Sequence, residues 1–375
     1  MSIFPPITYP TFYLLAAILV AIESTTLITT GTDRLTRPVQ QKGEFWLPLL
    51  LSVILALWMG ARPVSGVEYG DTINYHIQYL QAAEEGAGKI MIDTGSEWVF
   101  GALIIISQAL GLDSNGFFTV IAFGYVLTAT WAMKKYVPTS PYLGFLFLIS
   151  SLFFLNFGLN GLRNGLACHM ILLAMAFLME DKRIIAGIIA FMALGVHRST
   201  MLPIAAVIAA ITVLRDPKYA FYIWLASIPL SLATGNMFMG FVSGLGVDDR
   251  MAAYAGGHGH ESMFSKTGFR WDFLIYSAMP IAIYWYACIK KHLRDGWYNV
   301  IATTYMLSNA AWVMLIRIEY SNRFAYLSWF LIPVMMVYPL CNMKAWGSSQ
   351  DKIAGIVLAA YLLLTIFLQI AVWHA

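Results

Sequence analysis

Residues 160–199 read NGLRNGLACHMILLAMAFLMEDKRIIAGIIAFMALGVHRS. The run from 162 to 179 is apolar over about the 20 residues that a helix needs to cross the hydrocarbon core of a bilayer. Four charged residues, Glu180 to Arg183, then break it, and a second apolar run reaches 198, where His197-Arg198-Ser199 forms a polar elbow. Two apolar runs joined by a charged turn read as a pair of membrane helices.

The same ruler, with Pro, Gly and charge as punctuation, finds the pattern in both directions. Helices are expected near 9–30, 46–61, 116–133, 141–157, 162–179, 184–198, 200–214, 219–235, 271–289, 298–316, 324–341 and 353–373, several of them short for a span. The expected fold is an all-α polytopic membrane protein of about 12 transmembrane helices, a single domain over 1–375. Composition agrees: 59% of the 375 residues are hydrophobic and 11% charged, a balance that water would not keep dispersed. With a net charge of +3 and no dense basic run, binding to nucleic acid by counterion release is excluded. The opening MSIFPPITYP has no basic residue, so the first helix is expected to be retained rather than cleaved. Cys168, Cys288 and Cys341 all fall in apolar segments, as small packing residues do.

The segment Trp98 to Leu112 is apolar but short, and Glu97 opens it. If it crossed, Lys134 and Lys135 would land outside; as a re-entrant or interfacial helix it leaves them in the cytoplasm. With that choice Arg34, Lys42, Lys182, Arg183, Lys290, Lys291, Arg294, Lys344 and Lys352 also face inward, and the longest external loops are 62–95 and 236–270.

Sorting the cations by side separates arginine from lysine. Nine of eleven lysines fall inside, whereas seven of twelve arginines (Arg62, Arg163, Arg198, Arg250, Arg270, Arg317 and Arg323) fall outside. An arginine within the membrane costs about 2.5–3.5 kcal/mol on insertion scales, so one retained near it has a partner or a task. The planar, multidentate guanidinium favours phosphate or carboxylate over a point charge. Arg163 stands at the outer start of a helix, where free N–H groups also attract phosphate. Arg270 opens another helix, and Arg317 and Arg323 bracket a tight turn, so several phosphates or one pyrophosphate would suit them. The competing account is local pairing: Arg317 with Glu319, Arg270 with Asp272, Arg62 with Glu68 or Asp71.

A base for a sugar hydroxyl must be a carboxylate or a neutral imidazole within hydrogen-bond reach. Asp71, presented by a turn with Gly66 and Gly70, and Glu97, His197 and Glu319 are the outer-face candidates. No metal is expected: the pair His258 and His260, flanked by glycine and followed by Glu261, lacks a further ligand set. P-loops, dinucleotide fingerprints and hydrolytic serine or cysteine machinery are absent.

These motifs, in order, resemble the EpsG-like branch of the Wzy polysaccharide polymerases over roughly residues 50–340. The carriers are Arg62, Gly66, Asp71 and Tyr75; Glu97; Arg163-Asn-Gly-Leu-Ala167; His197-Arg-Ser199; and Arg323 in Arg-Phe-Ala-Tyr-Leu-Ser-Trp-Phe-Leu-Ile-Pro333. The chain departs from the family pattern at Asn164 and at Leu327-Ser328. The resemblance implies a GT-C-like, cofactor-free glycosyltransferase in the bacterial inner membrane with its active site facing the periplasm. It implies a reaction that moves the growing glycan from undecaprenyl pyrophosphate to a new lipid-linked repeat unit. Membrane lipids and a polysaccharide co-polymerase that regulates chain length are the implied partners. On this reading Arg163, Arg270, Arg317 and Arg323 bind pyrophosphate, Arg62 and Asp71 organise the acceptor, and Asp71 or His197 is the base. Tyr75, Glu97 and Glu319 line the substrate. A ligase usually carries a larger external domain than loop 236–270 supplies. A flippase of lipid-linked oligosaccharide would place its charges at mid-membrane depth.

Overall fold

The computed structural model describes residues 6–30, 44–234, 268–318 and 320–373, of which residues 371–373 are described by backbone alone. Arg34, Lys42, Arg250, the His258 to Glu261 segment, Glu319 and most of the 236–270 loop lie outside those residues. The described residues are helical and contain no strand. They divide into two compact units, one built from Met1–His197 with Met336–Ala375 and the other from Arg198–Met335.

In the first unit the helices are α1 (Tyr9–Thr29), α2 (Trp46–Gly60), α3 (Thr72–Glu85), α4 (Ala87–Thr94), α5 (Trp98–Ala109), α6 (Ser114–Tyr136), α7 (Pro141–Ile149), α8 (Phe154–Leu159), α9 (Leu162–Met179) and α10 (Arg183–Val196). The second carries α11 (Met201–Thr212), α12 (Pro217–Thr234), α13 (Trp271–Tyr284), α14 (Gly296–Met314) and α15 (Ser321–Trp329). Then come α16 (Ile332–Asn342) and α17 (Gln350–Trp373). Among the described residues, seven stretches are long and apolar enough to cross a membrane: Tyr9–Thr29, Ala87–Ala109, Ser114–Tyr136, Leu162–Met179, Trp271–Lys290, Ser321–Asn342 and Gly347–Ile370. The protein is a multi-pass, all-helical membrane protein. Three further apolar helices, Trp46–Gly60, Arg183–Val196 and Arg198–Thr212, are shorter.

Local chemistry sets the helix ends. Thr8 and Thr11 close a reciprocal capping box ahead of α1, and Asp113 Oδ1 accepts the Gly116 N–H at 2.8 Å to start α6. The stretch expected as one helix over 324–341 is two. Pro333 has no N–H to donate back to residue 329, and the chain is interrupted before α16 begins. The stretch expected over 141–157 is likewise split into α7 and α8. The loop expected over 62–95 is corrected more deeply, because it contains α3 and α4. Their apolar residues are too few for a spanning ruler, yet Tyr75, Tyr79 and Ala82 recur at helical spacing and are buried. A turn at Gly95, with φ of +49°, separates α4 from α5. Alone, the 12 residues of α5 extend only about 18 Å, short of the bilayer core; with α4 the stretch reaches spanning length.

Two sets of contacts define opposite ends of the first unit. At one end the Tyr69 hydroxyl donates to the Ile7 carbonyl at 2.6 Å, Thr72 Oγ1 to Leu159 O at 3.2 Å and the Tyr79 hydroxyl to Leu112 O at 2.6 Å. The starts of α1, α6 and α9 and the end of α2 therefore share one level. At the other end Lys135 Nζ donates to both oxygens of Glu180, and Lys134 lies over the Phe45 ring at 4.2 Å. Arg62 and Arg163 belong to the first end, and Lys134, Lys135 and Lys182 to the second.

The α2–α6 contact depends on Gly60. A Cβ there would sit 2.6 Å from the Thr119 Cα and 2.1 Å from its Oγ1, and backbone has nowhere to yield. Gly60→Ala is expected to cost about 1–3 kcal/mol, as overpacking does, and to lower the melting temperature in detergent. An unchanged melting curve would mean that this interface is looser than described.

Candidate functional site

Three breaks in helix geometry bring four distant residues of the first unit together. Arg163 lies in the first turn of α9, directly after the Asn160-Gly161 interruption. Glu97 ends the 3-10 turn that Gly95 makes possible, immediately before α5. His197 follows α10 in extended conformation, with φ −152° and ψ 118°. The Glu97 carboxylate bridges the other two: Oε2 accepts from Arg163 Nη1, and Oε1 lies 2.6 Å from His197 Nδ1. The guanidinium also packs over the Phe100 ring at 5.4 Å and the Tyr75 ring at 5.7 Å. The three charged or ionisable side chains keep 14–17% of their surface exposed, so the cluster is sheltered but reachable.

Gly195 makes this meeting possible. A Cβ on it would lie 2.4 Å from Val99 Cγ2 and 2.9 Å from Trp98 Nε1, so only glycine lets α10 approach the start of α5 so closely. Gly195→Ala is therefore expected to displace His197 from Glu97. An ångström of misplacement of a catalytic group costs on the order of tenfold to a hundredfold in rate. Turnover should fall by that factor while the protein still purifies as a single folded species; unchanged turnover would separate His197 from the chemistry.

Chemically the cluster joins an anion ligand to a base. With Nδ1–H donated to Glu97, a neutral His197 has Nε2 as its basic atom. Arg163 has five N–H donors, more than Glu97 consumes, and it stands beside the N–H groups that open α9.

Asp71 lies immediately ahead of α3, with Asn74 Nδ2 3.5 Å from its Oδ1. Gly70, at φ +50°, carries it against the start of α9: a Cβ on Gly70 would be 3.4 Å from the Asn160 carboxamide oxygen. Arg62, expected to organise the acceptor side with Asp71, sits just beyond the end of α2. Its side chain is fully buried, with Nη1 donating to Met59 O at 2.8 Å and Nε to Thr72 Oγ1 at 3.3 Å, and the guanidinium carbon 4.3 Å from the Phe118 ring centre. Nη2 has no hydrogen-bond partner among the described residues, and neither Glu68 nor Asp71 is an ion-pair partner. Burial pulls this guanidinium down to about 9, so it stays protonated at neutral pH.

The second unit holds the other arginines. Arg270 forms the local pair weighed for it, with Nε and Nη2 on the two Asp272 oxygens at 2.9 and 2.5 Å, and lies 3.7 Å above the Phe273 ring. Arg317 lies over Phe269 at 5.7 Å, and its Nε is buried without a hydrogen-bond partner among the described residues. Arg323 lies over Tyr320 at 5.0 Å, beside a left-handed backbone at Tyr320 with φ +54°. Glu319, expected opposite Arg317, lies outside the described residues. His76 Nδ1 lies 2.8 Å from Ser114 Oγ and fastens α3 to the first turn of α6, a contact with no signal in the sequence.

A family model described as the EpsG family matches residues 46–375. No curated protein matches the chain, and no solved structure does.

Proposed function

The chain belongs to the EpsG family, which makes it a membrane protein of polysaccharide synthesis, and from that premise we propose that it is a Wzy-type polymerase of lipid-linked repeat units. The observation that carries the reading is the Glu97 carboxylate holding Arg163, at the start of α9, and the His197 imidazole in one sheltered cluster.

In the proposed reaction an acceptor sugar hydroxyl attacks the anomeric carbon of the donor glycan. The bond from that carbon to the pyrophosphate oxygen breaks, and undecaprenyl pyrophosphate leaves with the electron pair. The hydroxyl proton passes to a base, His197 Nε2 or the Asp71 carboxylate. A single in-line displacement inverts the anomeric centre. Charge developing on the leaving group is met by Arg163 and the α9 amide groups, which act without reorganising and need no metal. The reaction faces the periplasm, at the end of the first unit opposite Lys134, Lys135 and Lys182. In the second unit Arg317, Arg323 and Arg270 are proposed as a further anion-binding set, with Asp272 lowering the share that Arg270 contributes.

Purified protein in vesicles supplied with lipid-linked repeat units is expected to build a glycan ladder, and to build it equally well in chelator. Translocation of the lipid without chain growth would replace the polymerase with a flippase. A ladder lost in chelator and restored by a divalent cation would overturn the metal-independent mechanism.

A further inference from the structure

Helix α3 sorts its residues into three faces. Thr72, Tyr75, Tyr79 and Ala82 are buried in the first unit. Ile73, Ile77 and Leu80 are exposed, at 37%, 45% and 47%. Asn74, Gln81 and Glu85 are exposed as well. At about 100° per residue, Ile73, Ile77 and Leu80 share one arc of about 60°, clear of the buried set and of Asn74, Gln81 and Glu85; Glu84, also exposed, continues that arc in the last turn of the helix, one turn beyond Leu80. The bundle accounts for the first face and water for the third. Neither accounts for the Ile-Ile-Leu stripe.

The depth of this helix follows from its fastenings. Thr72 is bonded to Leu159 just ahead of α9, His76 to Ser114 at the first turn of α6, and Tyr79 to Leu112 just ahead of α6. Tyr69, in the loop before α3, is bonded to Ile7 just ahead of α1. α1, α6 and α9 all have spanning length, so α3 lies level with the ends of membrane helices. That is the level at which one helix meets protein, hydrocarbon and water together. A protein partner suits the stripe poorly, because stable interfaces bury about 800 Å² per partner, far more than three side chains exposed by less than half can supply.

We propose that α3 is an interfacial helix whose Ile73, Ile77 and Leu80 are seated in the bilayer lipid at the arginine-bearing end of the first unit. Helices of this kind sink their apolar face about 5–10 Å into the boundary between headgroups and acyl chains. Tyr75, on the buried face of the same helix, touches Arg163. Seating α3 in lipid therefore holds the Arg163 cluster near the depth of lipid phosphate groups and opens it sideways to the leaflet. The membrane contact does not rest on the transferase reading.

The test places a small environment-sensitive fluorophore on Ile77→Cys or Gln81→Cys in the full-length protein. The labelled protein is reconstituted in phosphatidylethanolamine and phosphatidylglycerol vesicles doped with phosphatidylcholine that carries a nitroxide near the top of its acyl chain. Unsubstituted protein labelled in parallel corrects for the partly buried Cys288. The label at 77 is expected to be blue-shifted and quenched several-fold more by the nitroxide lipid than the label at 81, with aqueous iodide giving the reverse order. A label at 77 open to iodide and indifferent to the lipid would overturn the proposal, and so would one shielded from both quenchers, which would reveal a protein cover. Both readouts work without any glycan substrate, so failure of the polymerase assay leaves this result standing.

Discussion

Arg163→Ala is expected to cut glycan-ladder formation on the order of a hundredfold to a thousandfold, the range found when one preorganised donor to a developing oxyanion is removed. The substitution has a second effect that must be separated from the first. It strips Glu97 of its cationic partner, and a fully buried ion pair broken on one side loses about 3–5 kcal/mol. Here the Arg163 and Glu97 side chains retain 16% and 14% exposure, so solvent screens part of that loss. Glu97→Gln distinguishes the two effects. It preserves the side-chain shape and removes the charge, which frees Arg163 for an anion but takes from His197 the carboxylate that fixes its tautomer. If His197 is the base, Glu97→Gln alone lowers turnover by about 10²–10⁴ and flattens the rise of rate with pH. The double variant Arg163→Ala/Glu97→Gln carries no orphaned carboxylate and should melt close to the unsubstituted protein while remaining inactive. A double variant that regains its ladder would show that Arg163 serves only to neutralise Glu97, and the anion-binding role would be lost.

Arg62→Ala is expected to destabilise the protein by about 3 kcal/mol or more and to reduce the amount of folded protein recovered from membranes. The reasoning adds a cavity under Phe118, of the kind that costs about 2–5 kcal/mol for a large buried side chain, to the loss of the bonds to Met59 O and Thr72 Oγ1. The Thr72 hydroxyl donates its own hydrogen bond to Leu159 O, so Arg62 ties the end of α2 to α3 and to the residue just ahead of α9. Arg62→Lys keeps the charge but loses the planar fork that reaches both acceptors while stacking on the ring, and it should rescue little. The measurement is thermal unfolding in detergent beside the ladder assay. Arg62→Ala with normal melting and no ladder would return Arg62 to the role expected from sequence, organising the acceptor side beside Asp71. Reduced melting in proportion to reduced activity marks it as the brace beneath the site.

Membership of the membrane class and most of the helices follow from local composition. The apolar run over 162–179 is the helix Leu162–Met179, and the elbow at His197-Arg198-Ser199 is the break between α10 and α11. In lipid every backbone polar group must be satisfied within its own segment, so a long apolar run has few alternatives to a helix. The placement of Arg62 and Arg163 at the opposite end of the first unit from Lys134, Lys135 and Lys182 agrees with the sorting of cations in the sequence, since side preference is a property of single residues. Tyr75, Glu97, Arg163 and His197 could each be named from their surroundings in the chain. That they form one cluster could not, because Glu97 is 66 residues from Arg163 and 100 from His197. Only the close packing allowed by Gly195 and the turn at Gly95 closes that gap. Helices α3 and α4 escaped because a spanning ruler measures total apolarity. α3 is held by hydrogen bonds to the ends of other helices and divides its apolar residues between two faces. Arg62 shows the limit most clearly: its place ahead of Gly66 and Asp71 suggested a role on the acceptor side, and only the packing of α2, α3 and α6 reveals that it is enclosed beneath Phe118.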